Sequence, residues 1–154
     1  MLFSKKELNF EVPKVMGIIN LTPDSFSDGG KFICPKTLKT DRSKVLKEIE
    51  KMENQGATFI DIGAESTRPN AFQISAAEEL DRLMPILDDI KNINAVVSID
   101  SSKGEVISEA IKNGVDFIND INSLKDKKAF KLVKDHNLPV LSLIHISEPT
   151  RRRT

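Results

Sequence analysis

Five short apolar runs alternate with four longer segments of helical periodicity, and this alternation constrains the fold more than any other feature of the chain. The runs lie at 15–19, 57–63, 95–100, 115–120 and 138–146. Between them, "DRSKVLKEIEKMENQG" puts Val45, Leu46, Ile49 and Met52 on one helical face, with Gly56 as its stop. "SAAEELDRLMPILDDI" has Ser75 and Glu78 in capping-box spacing, a stripe of Leu80, Leu83, Leu87 and Ile90, and Pro85 where a kink or break is expected. Ser102 and Glu105 predict a second capping box, opening a helix through Val106, Ala110 and Ile111 that ends near Gly114. "KDKKAFKLVKDHN" predicts a helix with Phe130, Val133 and Leu132 inward, closed by Asn137.

Strands that are apolar on both faces and separated by helices form a parallel sheet with helical crossovers. Two α/β architectures satisfy this pattern, an open doubly wound sheet and a (β/α)8 barrel. The first strand–helix junction has neither G-x-G-x-x-G nor a Walker A sequence, which disfavours a nucleotide-binding doubly wound sheet. The runs also end in polar residues: Asn20, then Glu65-Ser66-Thr67-Arg68 just past Gly63, then Asp100, then Asn119-Asp120. Barrel active sites gather at strand C-terminal ends, but open sheets also bind ligands there. A whole barrel takes about 250 residues, so the residues alone leave two expectations, an open sheet or a fragment, the latter a TIM barrel truncated after about the fifth strand.

The polar endings are most concentrated after the first run, in "GIINLTPDSFSDGG". A core strand there enters a loop of Asp24, Ser25, Phe26, Ser27 and Asp28, too polar and Gly-flanked to pack as core. Lysines plus arginines number 23 and acidic residues 23, a balance that supports neither a nucleic-acid footprint nor a polybasic membrane patch. Cys34, the sole cysteine, excludes an internal disulfide, and "MLFSKKELNF" lacks the apolar core of a signal peptide. These features predict a soluble cytoplasmic protein.

"GIINLTPDSFSDGG", "GATFIDIGAESTRPN", "VVSIDSSKGEV" and "DFINDINSL", in this order and spacing, resemble dihydropteroate synthase of the pterin-binding enzymes. The resemblance spans roughly 15–146 and implies a (β/α)8 barrel. It implies condensation of (7,8-dihydropterin-6-yl)methyl diphosphate with p-aminobenzoate, releasing diphosphate, in folate biosynthesis. A full-length homodimer and Mg²⁺ follow from the same resemblance.

The resemblance assigns roles residue by residue. Asn20 takes the position of a Mg²⁺ ligand, although Asn before Thr22-Pro23 suits a turn on sequence alone. Thr67 and Arg68 fall at the phosphate end of the site, where a hydroxyl and a guanidinium suit anionic oxygens. Asp100 and Asn119 fall at pterin contacts: a carboxylate accepts from the amino and ring N–H groups, and a carboxamide offers donor and acceptor. Phe26 and Asp28 lie in the loop that closes over the reacting centre, with Phe26 a lid aromatic and Gly29-Gly30 permitting movement. Asn70 stands where the family usually has Gly, and Asp120, His136 and His145 are given no catalytic part.

Past Ile146, "SEPTRRRT" leaves the family pattern and resembles adapter readthrough. Residues 1–146 are therefore expected to be the N-terminal part of the barrel and 147–154 a non-family tail, with the chain inactive by itself. A pterin-dependent methyltransferase barrel and a non-catalytic pterin-binding module are the competing readings. "TPDSFSDGG" and "ESTRP" disfavour the methyltransferase.

Overall fold

The structure, a computed structural model, describes residues 3, 7–23, 30–34, 36–66 and 72–142. Its elements alternate as β1 (Val15–Asn20), α1 (Arg42–Asn54), β2 (Ala57–Gly63), α2 (Ala76–Leu87), β3 (Val96–Asp100), α3 (Gly104–Lys112), β4 (Phe117–Asn119), α4 (Lys127–Asp135) and β5 (Val140–Leu141). All strand pairings are parallel, and the sheet order is β1-β2-β3-β4-β5. This order separates the two candidate architectures. A doubly wound sheet reverses direction at a switch point, whereas strands adding in sequence order on one side are a barrel wall. The expected truncated TIM barrel is the fold observed.

Right-handed crossovers that all step the same way put every helix on one face of the sheet. The core has that one-sided form. Ile19, Ile60, Ile62, Val97, Ile99 and Ile118 point outward into a single apolar cluster with Val45 and Ile49 of α1, Leu83 and Ile86 of α2, Val106 and Ile107 of α3, and Ala129 and Val133 of α4. The opposite, barrel-interior face holds a smaller cluster of Phe3, Phe59, Val96 and Phe117, with Leu8 and Met16 against it. The rings of Phe3, Phe59 and Phe117 meet edge to face with centroids 5.6–5.8 Å apart, and Phe10 stacks on Phe59 at 6.1 Å. Phe3 and Phe10 thus form an aromatic plug in the bottom of the barrel.

Local signals explain most of the helix ends. Ser75 Oγ accepts from the Glu78 amide as the capping box predicts, and Gly56 and Gly114 close their helices with φ of +94° and +82°. Pro85 does not break α2, which continues to Leu87. Ser102, however, caps nothing: α3 starts after Lys103 without a side-chain cap, and Ser102 Oγ donates instead to Asp120 Oδ1 at 2.5 Å. Phe130 also departs from expectation and is exposed, because the short α4 seats the smaller Ala129 and Val133 against the sheet. The start of α4 is capped by Asp126, whose Oδ1 accepts from the amides of Lys128 and Ala129 at 2.7 and 2.9 Å.

Replacing Asp126 with alanine should cost about 1 kcal/mol in urea unfolding at pH 7. The Ala129 amide, more than any other group, holds this carboxyl below its ordinary range. A depressed folded pKa contributes stability above the unfolded value, so the deficit of the variant should shrink as pH falls below about 4.

Among the described residues no helix is long and apolar enough to cross a membrane. The expected tail at 147–154 and the end of the predicted fifth run, 143–146, lie outside them.

Candidate functional site

Parallel pairing turns the polar strand endings into one row. Asn20 pairs with Gly63, Gly63 with Asp100, Asp100 with Asn119, and Asn119 with Leu141. Residues in register point to the same face, and the period of two along each strand assigns the tiers below. Met16, Phe59 and Val96 form the bottom tier; Ile18, Asp61, Ser98 and Phe117 form the middle one. The interior therefore changes from aromatic at the bottom, through a buried Asp–Ser pair, to a polar rim at the strand C-terminal ends. Asn20, Asp100 and Asn119 are brought together there, each half-buried. Gly63 keeps the floor between Asn20 and Asp100 low, since a Cβ on it would lie 3.4 Å from Asp100 Cβ.

Asp100 is held unusually. Burial first, then the charges of Asp61, Glu79, Asp120 and Glu65, push its pKa up to about 7. Its neighbour Asn119 donates through Nδ2 to Asp61 Oδ2 at 2.9 Å. Asp61 also accepts from Ser98 Oγ. Burial raises the Asp61 carboxyl, and the Ser98 and Asn119 donors pull against that rise. Asp61 and Ser98 escaped the sequence reading; the available signal was a polar residue two positions before the ends of β2 and β3, on the same face, where β1 and β4 carry Ile18 and Phe117. Asp120 is structural: it accepts from the amides of Asn122 and Leu124, both at 2.8 Å, and from Ser102.

Phe26, Asp28, Thr67 and Arg68 lie outside the described residues. The flanks of their segments are nonetheless fixed. Gly30 (φ +72°) approaches Pro23 so closely that a Cβ would sit 2.9 Å from the Pro23 carbonyl oxygen, so glycine is required where the first segment rejoins the fold. After β2, Glu65 holds both ends of 66–73. Its Oε1 accepts from the Ile74 amide at 2.9 Å and its Oε2 accepts from Lys103 Nζ at 2.7 Å. Arg82 Nη1 donates to the Ala64 carbonyl at 2.9 Å from beneath.

The chain matches the pterin-binding enzyme family over residues 16–154. It belongs to that family. The dihydropteroate synthase of Haemophilus influenzae is 45% identical over 138 residues, covering 89% of this chain and 48% of the relative. The Yersinia pestis dihydropteroate synthase, solved in complex with a sulfonamide drug, superposes with a TM-score of 0.83 at 39% identity, covering 92% of this chain and 50% of that one. The Burkholderia cenocepacia dihydropteroate synthase, solved with 7,8-dihydropteroate, gives 0.76 at 35% identity, covering 96% and 46%. The chain thus spans about half the length of these relatives.

Proposed function

We propose that this pterin-binding barrel segment belongs to a dihydropteroate synthase, a transferase of folate biosynthesis that joins a pterin methyl diphosphate to p-aminobenzoate. The supporting observation is the register row, which sets an acceptor-only carboxylate and a carboxamide side by side above a closed aromatic floor. In its ionised form Asp100 accepts from the amino and ring N–H groups of the pterin. Asn119 binds beside it, and Asn20 faces the methyl diphosphate arm at the opposite end of the row. The arylamine nitrogen bonds to the pterin methylene carbon, the carbon–oxygen bond breaks with its electron pair leaving on diphosphate, and the amine proton passes to solvent. The chain supplies no nucleophile for this step; it aligns the reactants and excludes water.

The dihydropteroate complex of the Burkholderia relative supports both substrates. Thr67 and Arg68 on diphosphate, and Phe26 and Asp28 in the loop over the reacting centre, rest on the motif resemblance. So does a full-length homodimer, whereas a cytoplasmic location rests on composition, a single cysteine in 154 residues. Among the described residues no group of three His, Cys, Asp or Glu forms a metal cage. The single neutral oxygen of Asn20 fits Mg²⁺ carried in with phosphate oxygens, as this ion usually binds. Bound so, it would neutralise charge on the departing diphosphate.

The test is a paired assay of dihydropteroate formation with Mg²⁺. One sample is the 154-residue chain; the other is residues 1–142 continued by the C-terminal half of the Haemophilus influenzae relative. Product is expected from the fusion and not from the short chain. A folded fusion that binds pterin without turnover would move the reading to a binding module.

A further inference from the structure

We propose that Asp61 is a positioning residue that fixes the orientation of the Asn119 carboxamide, and so makes the pterin-facing rim a surface of acceptors. The inference rests on the pterin-site reading above and extends it to a residue one tier below the rim.

Asp61 sits in the middle tier, 4% exposed, with both carboxylate oxygens engaged. Ser98, its register partner on the adjacent strand, donates to Oδ1 and is itself fully buried. Asn119 reaches across from β4, over β3, to donate to Oδ2. An ionised carboxylate has no donor, so only the NH₂ end of the carboxamide can face it. The Asn119 Oδ1 is thereby turned away from Asp61, which leaves it as the free acceptor of the carboxamide. Without the carboxylate the two ends of the amide are nearly equal in shape, and among the described residues no other hydrogen bond of the Asn119 side chain selects between them.

The fold itself does not ask for a carboxylate here. An apolar side chain would fill a tier between Phe59 and the rim without the cost of burying charge. Burial does push Asp61 toward its neutral form, and the two donated hydrogen bonds oppose that shift. The consequence is chemical selectivity. With Asn119 Oδ1 and Asp100 both offered as acceptors, the rim suits a heterocycle edge rich in N–H groups. A flipped amide would suit an edge bearing ring nitrogen acceptors.

Two readouts test this on the 154-residue chain. The first needs no ligand: the Asn119 side-chain amide resonances in a ¹⁵N-labelled sample. Slow exchange with water is expected in the wild type, and fast exchange in Asp61→Asn with the backbone spectrum preserved. Wild-type Asn119 amide protons exchanging as fast as those of exposed asparagines would overturn the proposal. The second is a double-mutant cycle in pterin binding, followed by the fluorescence of 6-hydroxymethylpterin. Asp61→Asn should weaken binding about tenfold, the effect of one misdirected hydrogen bond. In an Asn119→Ala background the same change should have less than about a twofold effect, because nothing remains to be oriented. A loss of equal size in both backgrounds would mean that Asp61 acts through general structure, and would overturn the proposal. A wild-type chain that binds no pterin would instead sink the pterin-site reading, and the amide exchange would still decide the positioning role.

Discussion

Replacing Lys103 with methionine is expected to destabilise the fold by about 3 kcal/mol, the penalty for stranding a buried charge. Lys103 Nζ donates at 2.7 Å to Glu65 Oε2 and at 2.7 Å to Glu79 Oε2. Glu79 is fully buried on α2, and its Oε1 has no hydrogen-bond partner among the described residues. Burial pulls the ammonium toward its neutral form, but the two carboxylates win and hold it above its usual range. Methionine keeps the length and apolar stem of lysine, so the change isolates the charge. Such a loss is large against a stability of about 5–15 kcal/mol for an ordinary domain. Urea unfolding at pH 7 measures it. Adding Glu79→Gln should restore most of the loss, since no buried charge then remains. A single variant within about 0.5 kcal/mol of wild type would show that water reaches Glu79 and that the triad is a surface pair. The same lysine clamps Glu65, so the variant should also loosen the flanks of segment 66–73.

The element order was legible because it depends on local signals. Apolar runs of strand length, helical periodicity, and glycines at helix ends each act within a few residues, and Ala57–Gly63 is observed as expected. Asn20, Asp100 and Asn119 were legible for the same reason, as polar residues closing apolar runs. What was missed depends on partners far away in sequence. Ser98 is 37 residues from Asp61, and Asn119 is 58; only strand register brings them together. Ser102 was misread because its competing acceptor, Asp120, is 18 residues downstream. Local spacing favoured a cap, and a buried carboxylate offered the better bond. Phe130 was misread because periodicity gives a face but not the depth of the space beneath it. The role of the N-terminal segment is likewise non-local: Phe3 and Phe10 become a plug only once Phe59 and Phe117 form a floor.

Asp100 should show function maintained against stability. Its pKa of about 7 lies well above the ordinary 3.8. A raised folded pKa on an acid means that the native state binds the proton more tightly than the unfolded chain does. Stability therefore falls as pH rises from about 4 to about 7, by an amount on the order of 4 kcal/mol. Asp100→Asn removes this ionisation while keeping the shape. It should make the chain more stable at pH 8, by on the order of 2–4 kcal/mol, and flatten the pH dependence between 4 and 7. Binding should move the opposite way. On the proposed pterin-site reading, the ionised carboxylate would accept two charge-assisted hydrogen bonds from a donor edge, and the amide would turn one of them into a clash of donors. Pterin affinity at pH 8 should fall about 100-fold. In the wild type, affinity should decline below pH 7, approaching tenfold per unit as the carboxylate protonates, while in Asp100→Asn it should be flat over the same range. Urea unfolding and pterin fluorescence on the same samples give both curves. A variant that is both less stable and weaker in binding would make Asp100 a structural residue. Greater stability with unchanged affinity would move the pterin contact off the β3 end of the row.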